Sequence, residues 1–421
     1  MGSARSYRER VLDGEISDRL SSIGAVLVEG PKACGKTESA TQRAATTYRL
    51  DVDPSARNAA GLAPDLLLDS PGPVLFDEWQ VVPTLWDQVR RAVDDRAPAK
   101  GLYLLTGSAT PSEDVNRHSG AGRIATLQMR PMSLLESGHS TGQASLAAVL
   151  AGDDVTAQDP GLTVPGVIDR ICIGGWPALL DADPHDAGQW LSDYLNQIVL
   201  VDFQELGVRR RDPGNIRRLL HSLARNVATT AKVTSLAKDV GGADGPVARA
   251  TVDGYLESLS RLRLTESSPA WAPHMRSATP LQSSPTRYFV DPSLAVAALG
   301  QGPAQLLADL GATGFFFENL AVRDVRVYVQ RLGGQVHHWR DQNQHEVDIV
   351  VTLPDGRWGA FEVKMNPSDC DKAAASLLSF AQKVDQQQSG PPAALGVITS
   401  TGFTYRRPDG VRVLPIGTLG P

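Results

Sequence analysis

The stretch GPKACGKT, residues 30–37, constrains the fold of this chain more than any other feature. It has the spacing glycine, four residues, glycine, lysine, then serine or threonine, and it lies between an apolar run and a stretch typical of a helix. The glycines allow the backbone to curl so that successive N–H groups point inward, and the positive end of the following helix adds to their attraction for anions. The pattern therefore predicts a loop that holds the phosphates of ATP within an α/β domain.

The whole loop is expected to contact the nucleotide, and two of its side chains have separate predicted roles. Lys36 is expected to reach the β- and γ-phosphates, and Thr37 to ligate Mg²⁺. The predicted nucleotide-binding residues are Gly30, Pro31, Lys32, Ala33, Cys34, Gly35, Lys36 and Thr37.

Five short apolar runs between residues 24 and 130 predict the strands of this domain. They are GAVLVEG, YRLDVD, PVLFDE, LYLLTGS and RIATLQM. Near-continuous apolar runs of this length are typical of a parallel sheet that is buried on both faces. The sequence therefore predicts a P-loop NTPase domain with a parallel sheet.

Polar residues end two of these strands, at the sheet edge where ligands of open α/β sheets bind. Asp77 is predicted to hold Mg²⁺ through water, and Glu78 to polarise the attacking water. Thr106, with Ser108, is expected to sense the γ-phosphate or to orient water. Arg123 or Arg130 is a candidate for an arginine finger, acting within the chain or from a second copy.

The middle of the chain is predicted to be mostly helical. RPMSLLES is expected to open a helix through a capping box of Ser133 and Glu136. Residues 230–266 predict two helices and a trailing strand, a winged-helix pattern that serves either DNA reading or simple packing. Residues 205–226, with six arginines, predict either a local basic groove or a solvated helix face.

A second constellation lies in HEVDIVVTLPDGRWGAFEVK near the C-terminus. If the turn is centred on Asp355, Asp348 lies opposite Glu362, and Lys364 shares the same face. With Glu318 from the preceding helix, these carboxylates are candidate ligands for Mg²⁺ or Mn²⁺, and Lys364 would position a water for attack on a phosphodiester. The alternatives are an inactive nucleic-acid-binding relic and ordinary cross-strand ion pairs.

Several motifs together carry a family resemblance. GAVLVEGPKACGKT, VLFDEWQ, LLTGSA, HSGAGRI, MRPMSLLE, GGWP, YFVDPSLA and FENLAVRDV follow one another along the chain. In this order they resemble the prokaryotic AAA-type ATPases that carry a C-terminal DUF4143 domain. The resemblance implies a PD-(D/E)xK nuclease-like core, and hence a restriction-endonuclease-like α/β fold, for the last segment.

These observations predict three regions: an ATPase domain over 1–140, a helical and winged-helix region over 141–300, and a nuclease-like domain over 301–421. The net charge of −6 argues against coating of nucleic acid through bulk electrostatics. No apolar run approaches the ~20 residues needed to cross a bilayer, and the three cysteines have no metal-ligand spacing. A cytoplasmic protein without a membrane partner is therefore expected.

Three functional hypotheses follow. The first is an ATPase whose nucleotide cycle controls a nuclease-like domain that cleaves or binds DNA or RNA. The second is an ATP-dependent switch that binds a protein partner, with a catalytically inactive recognition domain. In the third, the chain binds nucleic acid and uses ATP to form a homo-oligomer.

Overall fold

A computed structural model describes residues 7–107, 118–203, 212–273 and 284–421. Ser108 and the first part of the arginine-rich segment, residues 205–211, lie outside these ranges. The chain forms two compact units, the first of Met1–Pro131 with Arg261–Arg263 and the second of Met132–Ser260 with Leu264–Pro421. Helices and strands are numbered below in chain order.

The first unit is built on a five-stranded sheet in the order β2-β3-β4-β1-β5, with every neighbouring pair parallel. Its strands are β1 Ala25–Glu29, β2 Thr46–Arg49, β3 Val74–Asp77, β4 Tyr103–Gly107 and β5 Ile124–Gln128. Its helices are α1 Val11–Leu20, α2 Lys36–Thr41, α3 Pro54–Leu62, α4 Asp65–Leu68 and α5 Leu85–Asp95. Strands β1, β3 and β4 are buried along their whole length, which confirms the predicted parallel sheet.

The predicted strand YRLDVD is displaced in the structure. Strand β2 ends at Arg49, and the chain then turns into α3. Asp53 is the reason, because its carboxylate accepts hydrogen bonds from the backbone N–H groups of Ser55 and Ala56, and Pro54 follows at the first helical position. The capping preference of Asp53 therefore overrides the apolar pattern.

The second unit begins with helices. They are α6 Leu146–Ala151, α7 Val164–Ile173, α8 Pro184–Gln197, α9 Pro213–Arg225, α10 Val233–Gly241, α11 Arg249–Arg261, α12 Pro292–Ala298, α13 Pro303–Ala308, α14 Leu310–Gln330, α15 Cys370–Lys383 and α16 Gln386–Ser389. Helices α10 and α11 lead to the antiparallel pair β7 Thr265–Ser268 and β8 Thr286–Phe289. The two predicted helices and the trailing strand thus form, and β8 adds a second strand; the winged-helix interpretation stays a prediction.

The C-terminal part of the second unit is a six-stranded mixed sheet in the order β13-β14-β12-β11-β10-β9. Its strands are β9 Gln335–Arg340, β10 Glu346–Thr352, β11 Trp358–Lys364, β12 Ala394–Thr399, β13 Tyr405–Arg406 and β14 Arg412–Pro415. A short pair of β6 Ala144–Ser145 and β15 Leu419–Gly420 closes the unit. Helix α15 packs on β11 and β12, as the sequence predicts for an α/β unit.

The predicted helix over RPMSLLES is wrong, although its capping bonds form. The Glu136 carboxylate accepts a hydrogen bond from the backbone N–H of Ser133 at 2.7 Å. In return, the Ser133 hydroxyl accepts one from the backbone N–H of Glu136 at 3.3 Å. The residues nevertheless form turns only. Tertiary bonds direct this backbone elsewhere: the N–H of Met132 donates to the Gly175 carbonyl, and that of Leu134 donates to the Asp324 carboxylate.

A buried ion-pair network joins the predicted middle and C-terminal regions into one unit. The guanidinium of Arg323 contacts Asp291 at 2.8 Å and Asp324 at 2.7 Å, and all three side chains are essentially inaccessible. Asp291 also accepts from the N–H of Gly175. The segments GGWP, YFVDPSLA and FENLAVRDV therefore meet in a structural core.

No helix of the described residues is long and apolar enough to cross a bilayer.

Candidate functional sites

The phosphate loop connects β1 to α2, and its backbone shape depends on two glycines. Gly35 has φ 103° and caps the amino end of α2 in the left-handed region, which side chains disfavour. A Cβ atom on Gly30 would lie 2.3 Å from the carbonyl oxygen of Met129, which follows β5. The loop is thus tightly packed against the carboxyl end of the neighbouring strand.

Lys36 is buried and its ammonium lies within the loop. Its Nζ donates to the carbonyl oxygens of Gly30 at 3.1 Å and Pro31 at 2.9 Å. A cation held between loop carbonyls and the positive end of α2 provides a site for a polyanion. The contact of Lys36 with the β- and γ-phosphates stays a prediction.

Three oxygen-bearing side chains from three elements meet beside the loop. Strand β4 lies between β1 and β3, and Thr106 is paired in register with both Val28 and Asp77. The Asp77 carboxylate accepts from the hydroxyl of Thr37 at 2.8 Å and from the hydroxyl of Thr106. The sheet order therefore brings Thr37, Asp77 and Thr106 together at one edge.

Thr37 and Asp77 suit a magnesium ion. Mg²⁺ prefers oxygen ligands and is usually held by one or two protein groups together with waters and substrate phosphates. A hydroxyl and a carboxylate already within hydrogen-bond distance, beside the phosphate loop, satisfy that requirement. Asp77 is also 5% exposed, so a cation there would offset the cost of burying its charge.

Glu78 follows directly at the end of β3 in a strained backbone conformation, with φ 53° and ψ 47°. Non-glycine residues in this region are sustained only where surrounding structure fixes them, often at functional sites. Its carboxylate accepts a hydrogen bond from the side-chain amide of Gln80. Burial raises the pKa of Glu78, and the donation from Gln80 and the nearby charge of Lys36 oppose that rise.

The two candidate arginines flank opposite ends of the same strand, β5. Arg123 precedes β5, near Ala25 at the start of β1, and its guanidinium pairs with Asp94 at 2.8 Å. Arg130 follows β5, next to the strand end that packs on Gly30. Within one chain the structure therefore does not bring Arg123 to the phosphate loop, and an arginine finger from Arg123 stays a prediction for a second copy only.

The strand residues of the C-terminal constellation, Asp348, Glu362 and Lys364, come together as the sequence predicts. Strands β10 and β11 pair with Ile349 opposite Phe361, so the same register places Asp348 opposite Glu362. The Nζ of Lys364 donates to Glu362 at 2.6 Å and lies 3.6 Å from the Asp348 carboxylate. Asp348 also accepts from the backbone N–H of Val363 at 2.7 Å.

Helix α14 adds a buried acid to this carboxylate–lysine cluster. Glu318 accepts a hydrogen bond from the hydroxyl of Tyr288 at 2.6 Å. Burial, followed by the charge of Asp348, raises the pKa of Glu318 well above its ordinary range. The same two causes raise the pKa of Glu362 to about 8, with Lys364 acting in the opposite direction.

The predicted set of three metal-ligating carboxylates needs correction. Within the described ranges, no group of three or more His, Cys, Asp and Glu side chains is arranged to hold a metal. Glu318 is instead bound to Tyr288. The facing pair Asp348 and Glu362 remains, which is the number of carboxylates that Mg²⁺ commonly takes from a protein.

Residues that sequence reasoning missed contribute to both sites. Gln80 lies two positions after Glu78. Its position next to the acidic pair in the sequence is the feature that could have indicated its contact with Glu78. Tyr288 comes from β8, far from Glu318 along the chain, and Arg10 lies before the first strand. The Arg10 guanidinium donates to the carbonyl oxygens of Cys34 and Arg130, and no local pattern predicts such contacts.

The basic segment predicted over residues 205–226 is described only from residue 212 onward. There, Arg217, Arg218 and Arg225 are exposed on α9, and Arg218 also donates to the backbone carbonyl of Val240. On α11, Arg249 pairs with Asp253 at 3.4 Å. Contact of these elements with nucleic acid stays a prediction.

The three cysteines, Cys34, Cys172 and Cys370, are buried and form no disulfide bonds.

Three family models match successive segments of the chain. Residues 23–137 match the model of an AAA domain, residues 165–305 a domain of unknown function, DUF8612, and residues 313–419 a domain of unknown function, DUF4143. No curated protein matches the chain. Among solved structures, the Walker-type ATPase PABY2304 of Pyrococcus abyssi is similar over 68% of this chain and 94% of that chain, with 15% identity and a TM-score of 0.41. The chain thus carries an AAA domain followed by a C-terminal DUF4143 domain, the combination that the sequence motifs predict.

Proposed function

We propose that the first unit hydrolyses ATP, with magnesium, at the edge of the sheet where β1, β3 and β4 end. The supporting observation is the meeting of Thr37, Asp77 and Thr106 beside a buried Lys36. The loop N–H groups and Lys36 bind the phosphates, and Thr37 with Asp77 holds Mg²⁺. When bound, Mg²⁺ supplies positive charge to the phosphate oxygens.

Glu78 is the proposed residue that activates water. Its ionised carboxylate accepts a hydrogen bond from the attacking water and polarises it toward the γ-phosphate. Gln80 holds that carboxylate in one orientation through its side-chain amide. Thr106 fixes Asp77, because its hydroxyl donates to the carboxylate from the adjacent strand.

Two variants separate nucleotide binding from hydrolysis. Lys36→Ala is expected to abolish nucleotide binding, whereas Glu78→Gln keeps ATP bound and unhydrolysed. Lys100→Ala, an exposed lysine before β4, is the matched control and retains full activity. Unchanged turnover in Glu78→Gln would remove Glu78 from the mechanism, and full binding by Lys36→Ala would remove the proposed site.

For the second unit we propose that the carboxylate–lysine cluster acts on a phosphodiester of DNA or RNA. The observation in favour is that Asp348 faces Glu362 across a strand pair with Lys364 between them. Asp348 and Glu362 would hold a divalent cation, which supplies charge to the phosphate, and Lys364 would orient the attacking water. The second candidate function is a recognition surface for a partner, without cleavage.

The two candidates differ in metal-dependent cleavage. Single-stranded DNA, duplex DNA and RNA are incubated with Mg²⁺ or Mn²⁺, and the products are resolved on gels. Asp348→Ala and Lys364→Ala are expected to lose cleavage, whereas Lys372→Ala, an exposed lysine on α15, keeps it. Cleavage that persists in both Asp348→Ala and Lys364→Ala refutes the assignment. Nucleotide-dependent binding of DNA or RNA without cleavage favours the recognition surface.

We propose finally that the nucleotide state of the first unit regulates the second. The chain passes from Arg130, whose carbonyl is bound by Arg10, to Leu134, whose N–H is bound by Asp324 on α14, within four residues. Helix α14 also carries Glu318 of the cluster. Cleavage or binding by Glu78→Gln is expected to differ between ATP and ADP; identical behaviour with both nucleotides would refute this coupling.

A further inference from the structure

Arg10 is a buried arginine in the segment before α1, outside the residues that match the AAA domain. Its Nη1 donates to the carbonyl oxygen of Cys34 at 2.8 Å, and its Nη2 donates to that of Arg130 at 2.8 Å. Only 5% of the residue is exposed. One planar guanidinium thus binds both the phosphate loop, at Cys34, and the residue Arg130 that follows β5. The single ammonium of a lysine does not reproduce this two-pronged geometry.

The bond to Cys34 sets the direction of the next backbone N–H. A trans peptide unit is planar, so its C=O and N–H point in opposite directions. When Arg10 holds the Cys34 carbonyl on its own side, the N–H of Gly35 faces away from Arg10. Rotation of this peptide would reverse both groups and present a carbonyl oxygen, which repels phosphate, in place of a donor.

The neighbours of Arg10 hold the helix that follows the loop. Asp13 accepts from the backbone N–H of Arg10 at 2.8 Å and from the Tyr7 hydroxyl at 2.6 Å, and it pairs with Arg43 at 3.3 Å. The Tyr7 hydroxyl also lies 2.9 Å from the hydroxyl of Ser39 on α2. The segment from Tyr7 to Asp13 therefore contacts both the loop and α2.

We propose that Arg10 is a positioning residue of the nucleotide site, which presents the N–H of Gly35 to the phosphates by holding the Cys34 carbonyl. The inference rests on the proposed nucleotide binding. The positive charge of Arg10 lies behind the loop and adds to the attraction for a polyanion, since a buried charge is weakly screened. Arg10 touches no phosphate itself and acts through the loop backbone.

The test is titration of the full-length protein with a fluorescent ADP analogue. Arg10→Ala is expected to weaken affinity by about tenfold or more, as for the loss of charge-assisted hydrogen bonds. Arg10→Lys is expected to restore only part of the affinity. Arg19→Gln, which changes an exposed arginine on α1, is the matched control and binds as the unmodified protein does.

Chemical rescue distinguishes positioning from a general structural role. Added guanidinium ion, at concentrations far below denaturing ones, is expected to restore affinity to Arg10→Ala and not to Lys36→Ala. A folded Arg10→Ala with unchanged affinity, or with weakened affinity that guanidinium does not restore, overturns the proposal. If Arg10→Ala does not fold, Arg10→Lys decides, and its full affinity would overturn the proposal. Absence of binding by the unmodified protein would instead refute the proposed function as well.

Discussion

The clearest test of the nucleotide site is the substitution Thr106→Val. Thr106 is completely buried in β4, and its hydroxyl donates to the Asp77 carboxylate. Valine has nearly the same shape, so the change removes one hydrogen bond and leaves the packing. A hydrogen bond to a charged acceptor contributes about 1.5–3 kcal/mol. If that bond fixes Asp77 for the reaction, kcat should fall by about ten- to a hundredfold.

Steady-state release of phosphate measures this effect, and titration with ADP and thermal unfolding accompany it. Thr126→Val is the matched control, because Thr126 lies in the same sheet, on β5, but is exposed. Nucleotide affinity should change little in either variant, since Lys36 and the loop are intact. Unchanged kcat in Thr106→Val, or an equal fall in both variants, would refute the reasoning that Thr106 positions Asp77.

Three further predictions concern charge and pH. Arg323→Met leaves Asp291 and Asp324 buried without their partner and is expected to lower the free energy of unfolding by about 3–5 kcal/mol, measured by urea denaturation; a loss below 1 kcal/mol would contradict it. Burial raises the pKa of Glu362 to about 8, and a bound cation needs the ionised carboxylate. The affinity for Mn²⁺, measured by calorimetry, should therefore fall about tenfold for each pH unit below 8. An affinity that does not change with pH would exclude Glu362 as a ligand. Burial raises the pKa of Glu78, and the hydrogen bond from Gln80 lowers it. Gln80→Leu removes that bond, so the acid limb of the pH–kcat profile should move to higher pH. An acid limb at the same pH would show that this bond does not lower the pKa of Glu78.

The phosphate loop and the strand pair of the C-terminal cluster follow from the sequence because their information is local. Glycine and lysine spacing specifies a loop between a strand and a helix. A turn centred on Asp355 specifies that Asp348 lies opposite Glu362, since side chains alternate along each strand and pairing is fixed by the turn. Buried strand runs likewise indicate a parallel sheet.

Only the tertiary structure decides which distant groups meet. The insertion of β4 between β1 and β3 places Thr106 beside Asp77, and strand direction separates Arg123 from the loop. Tertiary hydrogen bonds replace the expected helix at Ser133 by a turn. Arg10 contacts carbonyls 24 and 120 residues away. Such contacts depend on the order of strands and the packing of segments, and these leave no periodic trace in the sequence near the residues involved.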